Sequence, residues 1–185
     1  MKTVFLGWIH GVGKSTIIQW LMQGKDNIGH FSFWENVRDI GRKSGTVQDI
    51  QDFSGLSHEI RLSLMQQAKE RFRKVLASKL YDTLLVDNHF SVYENKHLVK
   101  AIDDEELALY DTLILVEVPI DILHERISQD KKERTRESCD REKIVQHSRY
   151  ERSIAEEVKK KWKRELIEVE NINLERTIEK IQEKI

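Results

Sequence analysis

The stretch Phe5-Leu6-Gly7-Trp8-Ile9-His10-Gly11-Val12-Gly13-Lys14-Ser15-Thr16 constrains this chain more than any other. A short apolar run, Thr3 to Leu6, enters a glycine-bearing loop that closes on Gly-Lys-Ser-Thr. The loop opens into the periodic apolar segment Ile17, Ile18, Trp20, Leu21. Strand, loop and helix in that order are the setting in which such a loop binds phosphate. Small residues at 11 and 13 let consecutive backbone N–H groups turn inward, and the following helix adds the positive end of its dipole. Lys14 then reaches the β- and γ-phosphates of a nucleotide, and the Ser15 hydroxyl ligates Mg²⁺. His10, Gly11, Val12, Gly13, Lys14, Ser15 and Thr16 are the expected ATP-binding residues, with no catalytic role for His10. One position departs from the strict spacing. Glycine belongs six residues before the lysine, where this chain has Trp8, with Gly7 one residue too early. A side chain is compatible with a strand-to-loop junction while its φ stays negative.

Behind this loop, strand-like and helix-like segments alternate. The pattern predicts a first strand over 2–8, a helix from Ser15 to about Gln23, a second strand over His30–Trp34 and a helix over Glu35–Lys43. Residues 46–55 read weakly as partly helical. Ile60, Leu64, Ala68, Phe72 and Leu76 recur every four residues and predict a long helix over Ser57–Leu80 with these residues inward. Thr83–Asp87 and Leu113–Val118 are buried-type strands, the second halted by Pro119. Asn88–Glu106 reads as loop. Asp121–Ser128 is helical, with His124, Glu125 and Arg126 on its exposed face. A second long helix starts near Asp140, a plausible N-cap, with Ile144, Ile154, Val158 and Trp162 inward. Leu166–Val169 is a last strand and Leu174–Ile185 a closing helix.

Such alternation implies parallel βαβ units covered on both faces, with ligand beyond the carboxyl ends of the strands. At 185 residues the expectation is one domain with a full core. Hydrophobic content of 39% beside 34% charged residues fits a globular chain, and a net charge of −1 gives no argument for nucleic acid or membrane. No apolar run approaches a membrane span and no signal-peptide core is present, so a cytoplasmic protein is expected. The single Cys139 excludes an internal disulfide and has no neighbouring base, so it reads as inert.

Several residues beyond the loop carry chemistry. Asp87 closes an apolar strand, where a phosphate-loop protein places a second magnesium-directed carboxylate; the alternative is a turn-forming aspartate. His89 follows two residues later. Arg134 and Arg136 sit in a polar stretch between helices, either as arginines that close over a transferring phosphoryl group or as a solvated basic loop. Arg38 follows the second strand by a helical turn, placed for an acceptor phosphate or simply exposed. Lys159, Lys160, Lys161, Lys163 and Arg164 flank Trp162, as a nucleic-acid patch or as the wet face of a helix.

These residues together resemble the archaeal-type adenylate kinases and the nuclear adenylate kinase linked to ribosome assembly. The resemblance rests on Gly11–Thr16 for the P-loop and on Leu85-Val86-Asp87-Asn88-His89 for the Val-Asp-x-His segment. It extends to Trp34–Asp39, which is similar to the acceptor-site helix. It implies a P-loop NTPase fold: three layers, α/β/α, around a five-stranded parallel sheet in the order 2-3-1-4-5. The resemblance also implies an acceptor-binding region at about 30–66 and a short lid at about 128–142. Arg134 and Arg136 take the positions of the lid arginines, Arg38 that of an acceptor arginine, and Asn171 lies in the segment near the adenine. Small ATP-binding proteins with an Ile-His-Gly-Val-Gly-Lys loop and an Asp-x-His-Phe segment are also similar.

The reading implied is an ATP- and Mg²⁺-dependent phosphotransferase of the nucleoside- or nucleotide-kinase type. Lys14, Asp87, Arg134 and Arg136 would be catalytic, Ser15 and Asp87 would hold the metal, and Arg38 and His89 would meet the acceptor. Two others stay open: a slow ATPase acting as a switch with a protein or RNA partner, and a small-molecule or toxin-like kinase.

Overall fold

The computed structural model describes residues 1–47, 56–94, 97–129 and 140–185. In chain order its elements are β1 (Lys2–Gly7), α1 (Lys14–Met22), β2 (Ile28–Ser32), α2 (Phe33–Lys43), α3 (His58–Ser78), β3 (Thr83–Asn88), β4 (Ser91–Glu94), β5 (His97–Lys100), α4 (Asp104–Leu107), β6 (Thr112–Glu117), α5 (Ile120–Gln129), α6 (Arg141–Trp162), β7 (Glu165–Glu170) and α7 (Leu174–Gln182). The loop-bearing strand is the middle of a five-stranded sheet ordered β2-β3-β1-β6-β7. Every pairing in it is parallel. Counted as parallel strands alone, this is the expected 2-3-1-4-5.

Alternation along each strand sends side chains to two separate cores. Val4, Leu6, Leu85, Ile114 and Val169 pack with Ile17 and Leu21 of α1, Leu123 of α5 and Ile181 of α7. Phe5, Phe31, Leu84, Val86 and Leu113 face the other way, against Val37 of α2, Phe72 of α3 and Ile154 and Val158 of α6. Both faces of the sheet are therefore covered, which is why its strands read as continuous apolar runs. Among the described residues no helix is long and apolar enough to cross a membrane.

Three local expectations are corrected. β2 starts at Ile28 and ends at Ser32, two residues before the predicted end, because the Ser32 hydroxyl accepts the Glu35 N–H and opens α2 at Phe33. Residues 88–106 are no loop. β4 and β5 pair antiparallel, and α4 follows, capped by Asp103. Strands of four residues among charged neighbours carry too little alternation to be read as strands. Ile60, expected inward, is 39% exposed at the first turn of α3, while Leu64, Ala68 and Phe72 are buried as predicted. Residues 48–55 and the predicted lid residues 130–139, Cys139 among them, lie outside the described residues.

Candidate phosphate-binding and active site

α1 begins differently from five of the other helices. α2, α3, α4, α6 and α7 each start with a side-chain oxygen accepting a first-turn N–H. α1 starts at Gly13 with no side-chain cap and no acidic residue in its first turn. Its first N–H groups are left for an anion, at the positive end of the helix. Gly13 holds φ 93°, in the left-handed region, and a Cβ there would come within 2.8 Å of Asn171 Nδ2. That amide donates to the Val12 carbonyl at 2.6 Å. Arg126, predicted on an exposed face, instead turns inward and donates to the carbonyls of Val12 and Asn171 at 3.5 and 3.3 Å. The loop is thus braced from β7 and α5, and Asn171 is tied to its backbone. His10 and Gly11 are exposed on it, as are the Ser15 and Thr16 positions at the start of α1.

Asp87 is the hub on the neighbouring strand. Its side chain is almost fully buried, and three groups donate to it: Lys14 Nζ at 3.1 Å and Ser32 Oγ at 3.2 Å on Oδ1, and His30 Nε2 at 2.7 Å on Oδ2. Burial pushes the carboxyl up, but the His30 hydrogen bond and the Lys14 charge outweigh it and hold Asp87 below the ordinary carboxylate value. It is ionised at neutral pH. Register explains the convergence. Ser32 pairs with Asp87 across β2 and β3, and Asp87 with Leu6 across β3 and β1, so the strand ends meet beside the loop.

The turn that follows is pinned at each residue. Asn88 donates to Glu106, a buried carboxylate raised by its desolvation and shared with the Tyr110 hydroxyl. The His89 ring meets the Trp8 carbonyl through Nδ1 and stands edge-on to His10, with centroids 5.0 Å apart. Burial lowers the His89 pKa, so the ring is neutral and Nδ1–H is the donor. The N–H groups of Phe90 and Ser91 both donate to the buried Glu151 of α6, at 3.1 and 2.8 Å. Gly7 admits the Phe90 ring, which lies 2.2 Å from where a Cβ would be. Gly7 is therefore a packing glycine of β1.

Trp8, the residue where the motif expects glycine, is buried in the core under the loop. Its φ is not positive, so the side chain costs the backbone nothing. Lys14 Nζ stands 5.7 Å from its ring centroid, within range of a cation–π contact. If binding of ATP·Mg²⁺ draws Lys14 toward phosphate, tryptophan fluorescence should change on titration and most of the change should disappear in Trp8→Phe. Trp20 is 48% exposed on α1, which makes the variant comparison necessary. An undiminished signal in Trp8→Phe would place the responding ring elsewhere.

The remaining predicted residues spread out. Arg38 is half-buried on α2 with no hydrogen bond or ion pair among the described residues, whereas Arg71 of α3 is spent on Asp39 at 2.7 Å and on Asn36. Trp162 packs against the core, and Lys161 beside it pairs with Asp104 of α4. Arg134 and Arg136 fall outside the described residues. Sequence reasoning missed His30, Ser32, Arg126 and Glu151. His30 and Ser32 carried a signal, since Ser32 ends β2 and His30, two residues earlier, falls on the same face, the one that Asp87 shares. Nothing local marked Arg126 or Glu151.

The Mg²⁺ question is one of donor chemistry. Ser15 Oγ and the Asp87 carboxylate are hard oxygen donors at one edge of the sheet. No group of three or more His, Cys, Asp or Glu side chains forms a metal cage among the described residues. Magnesium bound with a nucleotide asks for one or two carboxylates and takes its other ligands from phosphate and water, so the donor set fits.

A family model described as an AAA domain matches residues 9–145. Among curated proteins no sequence matches significantly. Among solved structures, TT1252 from Thermus thermophilus aligns over 100% of this chain and 97% of its own, at 15% identity and a TM-score of 0.62. The shikimate kinase from Bacteroides thetaiotaomicron aligns over 99% and 97%, at 12% identity and a TM-score of 0.59. The shikimate kinase from Aquifex aeolicus aligns over 98% and 94%, at 15% identity and a TM-score of 0.55. The fold is that of the P-loop kinases.

Proposed function

The chain belongs to the AAA domain family, and from that premise we propose that it is an ATP-binding, Mg²⁺-dependent phosphotransferase of the nucleotide- or small-molecule-kinase type. One observation carries the reading. An uncapped helix N-terminus and the ammonium of Lys14 share an edge with a buried, ionised carboxylate that Lys14 already contacts. Two similar structures are named as kinases, which supports the same class.

In this reading the loop amides and Lys14 hold the β- and γ-phosphates of ATP. Ser15 and Asp87 would hold a magnesium ion, which would supply neutralisation of charge on the phosphates. Before nucleotide arrives, Asp87 keeps Lys14 extended toward the site. Asn171 braces the loop from the side on which the adenine would lie. Arg38 and His89 face the acceptor. Arg134 and Arg136 would close over the transferring group and exclude water. Positioning and electrostatics supply the rate, since little covalent chemistry falls to the protein.

The test is a screen of acceptors with γ-labelled ATP. Label passing to one acceptor supports the kinase. Label released only to water, and faster with a protein or RNA partner, would sink it in favour of a nucleotide-dependent switch.

A further inference from the structure

Glu151 is a carboxylate where α6 should carry an apolar side chain. It falls on the buried stripe of that helix with Ile144, Ile154, Ala155 and Val158, and it is 1% exposed. Burying a carboxylate is costly unless donors meet it. Three do, and all come from one turn. The Phe90 N–H donates to Oε2 at 3.1 Å, while the Ser91 N–H and hydroxyl donate to Oε1 at 2.8 and 2.9 Å. His147, one helical turn earlier, stands 3.7 Å from Oε1 and 3.4 Å from the Ser91 carbonyl oxygen.

The clamp fixes more than its own turn. With the N–H groups of Phe90 and Ser91 both held, the backbone direction that aims His89 is set. The His89 ring donates from Nδ1 to the Trp8 carbonyl, which can only accept. Trp8 follows Gly7, the last residue of β1, so the phosphate loop departs at that carbonyl. Farther along, Asn171 and Arg126 hold the Val12 carbonyl. The entry and the middle of the loop thus have separate braces, and Glu151 stands behind the first. Ile9 and Val12 also share a small cavity with Ser148 and Glu151, so the loop has room to shift once that brace is lost. Phosphate binding needs several loop N–H groups aimed at one place, so a shift is felt as affinity.

We propose that Glu151 is a positioning residue for nucleotide binding: through the Phe90–Ser91 backbone and the His89 ring it holds the loop entry ready for the phosphates of ATP. This rests on the ATP-binding reading above and adds to it a residue of α6 that touches neither phosphate nor metal. The same loop amides hold the phosphates before and during transfer, so loosening them weakens both states alike. Affinity falls and turnover at saturation does not. A side chain that only satisfied two buried N–H groups would change stability alone.

The experiment measures equilibrium binding of ATP·Mg²⁺ to the full-length protein, to Glu151→Gln, to His89→Phe and to the double variant. Glutamine keeps the length of the side chain, but its NH₂ group opposes one of the two backbone N–H groups. Kd is expected to rise about tenfold in Glu151→Gln, with turnover at saturating ATP within about threefold. In the His89→Phe background the link to Trp8 is already gone, so the same change should move Kd by less than about twofold. A melting temperature that falls while Kd stays put overturns the proposal. Losses that simply multiply in the double variant also overturn it. Hydrogen exchange in the wild-type protein gives a reading that holds even if Glu151→Gln fails to fold. ATP·Mg²⁺ should slow exchange at Phe90 and Ser91 more than at the buried Leu84 and Val86 of β3, because the coupling is reciprocal. Equal slowing overturns the proposal. Each of these failures leaves the phosphotransferase standing, whereas a wild-type protein that does not bind ATP·Mg²⁺ overturns both.

Discussion

Replacing Lys14 with alanine should lower nucleotide turnover by about three orders of magnitude or more while the protein still folds. The size follows from what the ammonium is placed to do. In the proposed reaction it would meet the phosphates at the start of the helix, where charge moves during transfer, and about 4 kcal/mol of transition-state stabilisation corresponds to a thousandfold in rate. The fold should survive because the Lys14 side chain is 28% exposed and belongs to neither core. Its loss strips Asp87 of one charged partner, but His30 and Ser32 keep both carboxylate oxygens hydrogen-bonded. Turnover measured beside a thermal melt checks both halves. A folded variant with unchanged turnover would remove the loop from the mechanism.

Much of this site could be read along the chain, and the reason is local. The loop, the strand before it and the helix after it are contiguous, so spacing alone places Gly11 to Thr16 at one helix start. Asp87 was legible for a similar reason, since a carboxylate ending an apolar run in a parallel sheet lands at the ligand edge. What stayed hidden are partners distant in sequence. His30 and Ser32 reach Asp87 only through the β2–β3 register, and Glu151 reaches the backbone of Phe90 and Ser91 from the middle of α6. A glutamate amid charged neighbours on a long helix reads as a solvent-facing residue, yet Glu151 is 1% exposed. Arg126 was misplaced in the same way. The helical period put it on a wet face, whereas its guanidinium follows a long stem around α5 to the loop carbonyls. Gly7 and Trp8 show the limit of motif spacing. The spacing singled them out as an offset glycine and an intruder, whereas packing gives each a place, Gly7 under the Phe90 ring and Trp8 under Lys14.

Asp87→Asn is the second substitution expected to have a large effect, and it separates a metal-directed carboxylate from a strand-end aspartate that only shapes a turn. Asparagine keeps the volume, and its one carbonyl oxygen can accept from Ser32 while its NH₂ donates to the other tautomer of the His30 ring, so the turn into Asn88 should form. What it removes is the charge. If Asp87 helps hold magnesium, the Mg²⁺ concentration for half-maximal turnover should rise at least about tenfold, and turnover at saturating metal should fall about a thousandfold, the several kcal/mol that such an ion supplies. A second signature comes from stability against pH. The Asp87 carboxyl is raised by burial and lowered further by His30 and Lys14, leaving it below its ordinary value of 3.8 when folded. A group depressed in this way stabilises the fold above its unfolded pKa, and that contribution is lost as pH falls through the folded value. The wild-type protein should therefore be more stable than Asp87→Asn at neutral pH, with the gap closing as pH drops below 3.8. Thermal melts from neutral to acid pH measure the gap, and turnover against Mg²⁺ measures the metal role. A closing gap with unchanged Mg²⁺ dependence would leave Asp87 as the electrostatic anchor of Lys14 and His30 and move the metal to other ligands.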